Sequence, residues 1–224
     1  MDAVVVKVGG SLAAYPGKLR AICQTLGRIS KTHKLVVLPG GGEFADTVRK
    51  IDSQFSLSSQ TSHFMAILAM DQYGLLLSDL IPNAFRVDSL GKAAEALGLG
   101  RVPVFLPSQL LFDDGELENS WDVTSDSIAV YVAGKMGAGK VMLVTDVDGI
   151  FTADPKKYPQ AKLIKKVFAK QLLTFDGRTS VDRSLPKFML KYNIDCVVVN
   201  GLFPERIEAV LSGQFTLCTA ISRS

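Results

Sequence analysis

The sequence predicts an α/β fold, an open and mainly parallel sheet sandwiched between helices, and three observations carry that expectation. Short β-branched apolar runs recur along the chain, as strands buried on both faces require. Segments with helical spacing alternate with those runs. Glycine-rich turns follow two of the early runs directly, where the ligand loops of such sheets begin.

In chain order, the strand candidates are Val4–Val8, 35–38, Val102–Phe105, 141–144 and 196–199. Between the first two, residues 18–31 place Leu19, Ile22, Cys23, Leu26 and Ile29 at helical spacing. That makes a strand–helix–strand unit, whose crossover is right-handed as a rule. Residues 61–80 read as a longer helix that Pro82 ends. Ser125–Met136 and 184–192 are further helices, each opened by serine or proline. The stretch 112–121, "FDDGELENSW", is acidic and turn-rich and is expected to run along the surface. With no linker, repeat or low-complexity tract, residues 1–224 are expected to form a single domain, with 1–120 and 121–224 as its approximate halves.

Composition narrows the function classes. The 224 residues can bury a full core, and 47% hydrophobic with 21% charged residues is ordinary for a globular α/β protein. A formal charge of +3 without a basic, aromatic-laced stripe argues against nucleic acid as a partner. No apolar run approaches the ~18 residues of a membrane span, and no signal peptide is visible. Cys23, Cys196 and Cys218 lack metal-ligand spacing and fit a reducing compartment, so a cytoplasmic protein is expected.

The glycine motifs point to phosphate. "KVGGS" (7–11) is not a P-loop, because its lysine precedes the glycines and lies inside the strand. "LPGGGEFAD" (38–46) again sets glycines between a buried strand and a helix. Bare backbone N–H groups and a helix N-terminus suit an extended anion, and both loops would face one crevice at the carboxyl end of the sheet. Two unrelated structural turns are the alternative. In "WDVTSDSIAVYVAGK" (121–135), Thr124 or Ser125 can cap a helix, and Asp126 in its first turn has a sufficient reason in the helix dipole. In "VTDVDGIFTADPKKYP" (144–159), Thr145, Asp146 and Asp148 follow a strand end. "DVDG" lacks the closing glutamate of a calcium loop, and no protein metal site is expected.

Together, in this order, "KVGGS", "PGGG" (39–42), "TSDSIA" (124–129), "TDVDGIFTADP" (145–155), Lys187 in "SLPKFML" and "VVNG" (198–201) resemble the amino acid kinase superfamily. The resemblance runs from Val4 to about Gly201. It implies an acceptor-binding half (about 1–120), a nucleotide-binding half (about 121–224), and ATP with Mg²⁺. By that resemblance Lys7, Gly9, Gly10 and Ser11 would contact the β- and γ-phosphates. Gly40, Gly41 and Gly42 would lie where acceptor and γ-phosphate meet. Asp126 would orient the active-site lysines, and Lys187 would meet charge on the leaving side. Thr145, Asp146, Phe151, Asp154, Pro155 and Lys156 would surround the nucleotide. A homo-oligomer built through the amino-terminal half is also implied.

Neither His33 nor His63 follows a motif that would make it a base. A phosphate acceptor is already anionic near neutrality and needs none. Within the family, residues 62–74 and 120–129 resemble the kinases of methanofuran biosynthesis, which implies [5-(aminomethyl)furan-3-yl]methyl phosphate as acceptor. Arg49 is then a candidate for the acceptor phosphate, and Asp46, Asp71 and Trp121 for its ammonium; His63 could line the same pocket. Glu43, Phe44 and Asp46 after the glycines count against a prenyl phosphate. Uridylate kinase and a non-catalytic nucleotide or oxyanion binder stay open as alternatives.

Overall fold

The structure is a computed structural model and describes residues 3–112, 115–153, 155, 157–175 and 180–223. Its centre is an eight-stranded sheet. In chain order the strands are β1 (Val4–Val8), β2 (Leu35–Pro39), β3 (Ala84–Val87), β4 (Val102–Phe105), β5 (Lys140–Thr145), β6 (Lys166–Phe168), β7 (Asp195–Asn200) and β8 (Cys218–Ser222). The helices are α1 (Pro16–Ile29), α2 (Gly42–Phe55), α3 (Ser59–Leu80), α4 (Leu90–Gly98), α5 (Ser108–Phe112), α6 (Ser125–Met136), α7 (Ala169–Leu172), α8 (Leu185–Tyr192) and α9 (Glu205–Leu211).

Strand order is β3-β4-β2-β1-β5-β7-β8-β6, and every pairing is parallel except β7 with β8. From β1 the chain builds outward to one side through β2, then returns at β5 to build the other. That reversal opens a crevice at the carboxyl ends of β1 and β5.

Alternation along β1 decides which group faces which layer. Val6 and Val8 pack with Leu19, Ile22 and Leu26 of α1, whereas Val5 packs into the layer containing Ile128 of α6. Lys7 shares the face of Val5, because strand side chains repeat every second residue. Its ammonium is thereby sent toward the start of α6.

Several boundaries differ from the sequence expectation for local reasons. Helix α1 begins at Pro16, two residues early, since proline suits the first turn of a helix. Neither Thr124 nor Ser125 caps α6 with its own side chain: Thr124 holds the N-cap position but its side chain accepts no N–H of the helix, and a carboxylate from elsewhere in the chain takes over. Residues 115–121 of the acidic stretch form a loop, which Glu116 pins to α6 and α8 through Lys135 (2.7 Å), Lys191 (2.6 Å) and Tyr192 (2.9 Å). Among the described residues no helix is long and apolar enough to cross a membrane.

Candidate active site

The two glycine loops meet at the carboxyl ends of β1 and β2. Gly9 N–H donates to Val144 C=O (2.8 Å) and Gly40 N–H to Val8 C=O (2.8 Å), so each loop continues a sheet ladder before it turns. The loops then touch backbone to backbone. A Cβ on Gly10 would stand 2.0 Å from Gly42 N, and Gly42 itself has φ +55°. Glycine at 10 is therefore demanded by the neighbouring loop, and at 42 by the left-handed backbone. From below, the buried Tyr73 hydroxyl donates to Gly9 C=O (3.3 Å).

A cavity of ≈ 520 Å³ opens above these loops. Of the residues singled out from sequence, Lys7, Gly9, Gly10, Ser11, Gly41, Gly42, Asp46, Arg49, Thr145 and Asp146 line it. Helix α2 starts inside the glycine run with no side-chain cap, so its first N–H groups lie on the cavity wall. Ser11 Oγ donates to Asp146 Oδ1 (2.9 Å), which joins the loop after β1 to the loop after β5.

Behind this wall, Lys7 Nζ stands 2.8 Å from Asp126 Oδ1. The second carboxylate oxygen of Asp126 accepts Asp182 N–H at 3.3 Å. Asp182 is a residue that sequence reasoning missed. Its own carboxylate accepts from Thr124 N–H (3.0 Å), Thr124 Oγ1 (2.8 Å), Ser127 N–H (2.9 Å), Ser127 Oγ and Leu185 N–H (2.8 Å). Burial, and then the neighbouring charge of Asp126, push its carboxyl above the usual range. An aspartate three residues before a Leu-Pro helix start is a local hint, but its partners across 55 residues are not local at all.

One part of the cavity wall is supplied by α2, α3 and the loop before α6. Arg49 pairs with Asp46 (2.8 Å) and lies over the Trp121 ring, its guanidinium carbon 4.6 Å from the centroid. Trp121 Nε1 donates to Asp52 (2.9 Å), fixing the indole as a wall. Glu43, His63 and Met70 also line the cavity. Burial lowers the pKa of His63, opposed by its hydrogen bond to the Ser120 backbone.

Other candidates sit elsewhere. Gly40 is buried between the loops and Asp126 lies beneath Lys7, both outside the lining. Asp71 is engaged by Ser108, whose N–H (3.3 Å) and hydroxyl both donate to it; it too is outside the lining. Lys187 lies exposed on the first turn of α8, away from the cavity wall. Phe151 bridges to Leu163, and neither it nor Pro155 lines the cavity. Asp154 and Lys156 lie outside the described residues. Asp148 accepts from Arg206 Nη1 (2.5 Å) and Asn200 Nδ2 (2.9 Å), which holds the turn after β5 against β7 and α9.

The sequence model described as "Amino acid kinase family" matches residues 2–200. The chain is 35% identical to the [5-(aminomethyl)furan-3-yl]methyl phosphate kinase of Methanocaldococcus jannaschii, over 97% of this chain and 96% of that one. It is 25% identical to the uridylate kinase of Pyrococcus abyssi, over 94% and 96%. Among solved structures, the uridylate kinase of Archaeoglobus fulgidus superposes with a TM-score of 0.78 at 24% identity, covering 99% of this chain and 100% of that one.

Proposed function

The chain belongs to the amino acid kinase family, and we propose that it is an ATP-dependent kinase whose acceptor is a phosphate monoester. The observation that carries this reading is the Lys7–Asp126 pair set behind two glycine loops that share one cavity.

Phosphoryl transfer passes through a loose transition state, so the protein's work is alignment and positive charge. The backbone N–H groups of Gly10, Gly41 and Gly42, with Ser11, cradle the β- and γ-phosphates and the incoming acceptor oxygen, while Gly9, its N–H held by Val144, sets the turn. Lys7 places its ammonium at the shared γ-phosphoryl group, and Asp126 aims it. Lys187, exposed on α8, is assigned to the leaving-group charge by the family resemblance. Thr145 and Asp146 line the nucleotide side of the cavity, and the family resemblance alone adds Phe151, Asp154, Pro155 and Lys156 as nucleotide-binding residues, in the half from about 121 to 224. Mg²⁺ bound with the triphosphate would neutralise part of its charge. The described residues hold no cluster of three His, Cys, Asp or Glu suited to a metal ion. A single carboxylate, Asp146 beside Ser11, suits an ion held mainly by phosphate and water.

The acceptor is [5-(aminomethyl)furan-3-yl]methyl phosphate, by the 35% identity to the kinase of that name, and the product is its diphosphate. Arg49 binds the acceptor phosphate, Trp121 flanks the furan, and Asp46 with Glu43 faces the ammonium. No general base is required, because the attacking phosphate oxygen is already ionised. UMP is the second reading, favoured by the uridylate kinases at about 25% identity.

The protein works in the cytoplasm, where its free thiols stay reduced. It assembles as a homo-oligomer through α3, whose Leu68, Leu75 and Leu76 are exposed on an apolar helix. Phosphorus NMR of a reaction with Mg²⁺–ATP tests the reading. Coupled diphosphate resonances of a new organic product support it, and ATP turnover that releases only inorganic phosphate contradicts it.

A further inference from the structure

We infer that Asp182 is a positioning residue that sets Asp126 and Lys187 in register by tying together the starts of α6 and α8. The inference rests on the kinase reading above and adds to it a residue that touches neither nucleotide nor acceptor.

The two helices come from distant parts of the chain, and neither is capped by its own N-cap side chain: Thr124 and Ser184 make no such bond. Four N–H groups at each helix start need partners, and the positive ends of both dipoles favour a carboxylate. One carboxylate serves both ends. Its five donors come from Thr124 and Ser127 at the start of α6 and from Leu185 at the start of α8. An ionised carboxylate offers about four lone-pair sites and no donor, so this ring of donors fills it. Asparagine would keep the shape but turn an NH₂ group toward N–H and O–H donors.

The link reaches the reacting groups in two directions. Asp182 N–H takes Asp126 Oδ2 (3.3 Å), which leaves Oδ1 to Lys7 at 2.8 Å. Asp126 is therefore held at both oxygens, and its aim on Lys7 depends on where residue 182 sits. Lys187 stands two residues beyond Leu185 on the turn that the same carboxylate anchors. A shift of that turn moves Lys187 relative to Lys7, and misplacement of about 1 Å can cost roughly 10²-fold in rate.

The test compares kcat and KM of wild type, Asp182→Asn, Ser127→Ala, Lys187→Ala and the double variant Asp182→Asn/Lys187→Ala, at a temperature where melting curves show each to be folded. Asp182→Asn is expected to lower kcat by roughly 10–10²-fold with both KM values little changed. Ser127→Ala removes one donor from a buried site without a volume change, so it shows a smaller loss in the same direction even if Asp182→Asn does not fold. Because Asp182 acts partly through Lys187, its effect shrinks in the Lys187→Ala background. Unchanged kcat in the folded variants overturns the inference, as does a full multiplicative loss in the double variant. Wild-type protein that transfers no phosphoryl group removes the kinase reading and this inference with it, whereas an active wild type with equally active variants overturns the inference alone.

Discussion

Lys7 Nζ stands 2.8 Å from Asp126 Oδ1, with the two side chains only 11% and 10% exposed. A charge pair so withdrawn from water is costly to keep and more costly to break. Lys7→Ala is expected to lower kcat by roughly 10²–10³, the scale for losing one preorganised charge. It also leaves Asp126 buried and unneutralised, a loss of about 3–5 kcal/mol in stability. The double variant Lys7→Ala/Asp126→Ala should regain part of the melting midpoint and none of the turnover. Recovery of both together would assign the pair to stability alone.

The contact between the glycine loops predicts a sharp positional contrast. Gly10→Ala drives a Cβ to 2.0 Å from Gly42 N and should destabilise by about 1–3 kcal/mol while weakening ATP binding. Gly17, in the first turn of α1, has nothing within 4 Å. Gly17→Ala should therefore stabilise by about 0.4–1 kcal/mol through the unfolded chain, with activity untouched. Thermal melts and nucleotide titrations of the two variants check the contrast.

The proposed role of Trp121 is on the acceptor and not on ATP. Its ring receives Arg49 at 4.6 Å and its Nε1 is held by Asp52. Trp121→Ala should raise the acceptor KM roughly 5–30-fold, about 1–2 kcal/mol of lost aromatic and cation–π contact. The KM for ATP should stay near the wild-type value. Equal rises in both would move Trp121 out of the acceptor wall.

Much of the fold was legible because the central strands are buried on both faces. The expected runs at β1 and β4 coincide with the observed strands, and β2, β5 and β7 differ by single residues at their ends. The edge strand β3 escaped notice, since Ala84, Phe85 and Arg86 are not buried and the "AFRV" run has no apolar periodicity. β6 has only three residues and pairs with β8 across some fifty residues, beyond the reach of any local pattern, and β8 alternates buried with half-buried positions instead of forming a continuous buried run. The glycine loops and Lys7 were visible from their spacing. Asp182 was not, because its importance lies in two helix starts that only the tertiary fold brings together. Arg49 and Asp46 read as independent binding groups, yet one helical turn of α2 makes them an ion pair.

The loop that carries Trp121 has its own pH dependence. Hydrogen bonds from Lys135, then Lys191 and Tyr192, bring the Glu116 carboxyl from an ordinary 4.5 down to about 2. A lowered carboxyl stabilises the fold above the ordinary value, and that support is lost as the pH falls from 4.5 through about 2. Glu116→Gln should thus lower the melting midpoint at neutral pH, by a modest amount because the pairs are exposed. The difference from wild type should close at the acid end of that window. A gap that persists below pH 2 would mean that Glu116 acts through packing.

The rate of ADP release with different acceptors under saturating Mg²⁺–ATP tests the central claim most directly. The account predicts much faster turnover with [5-(aminomethyl)furan-3-yl]methyl phosphate than with UMP. Its neutral alcohol precursor should react poorly, lacking both the anchoring charge and an ionised oxygen. Faster turnover of the alcohol than of any phosphate monoester would contradict the claim, since this site would then need a base that the proposed mechanism does not provide.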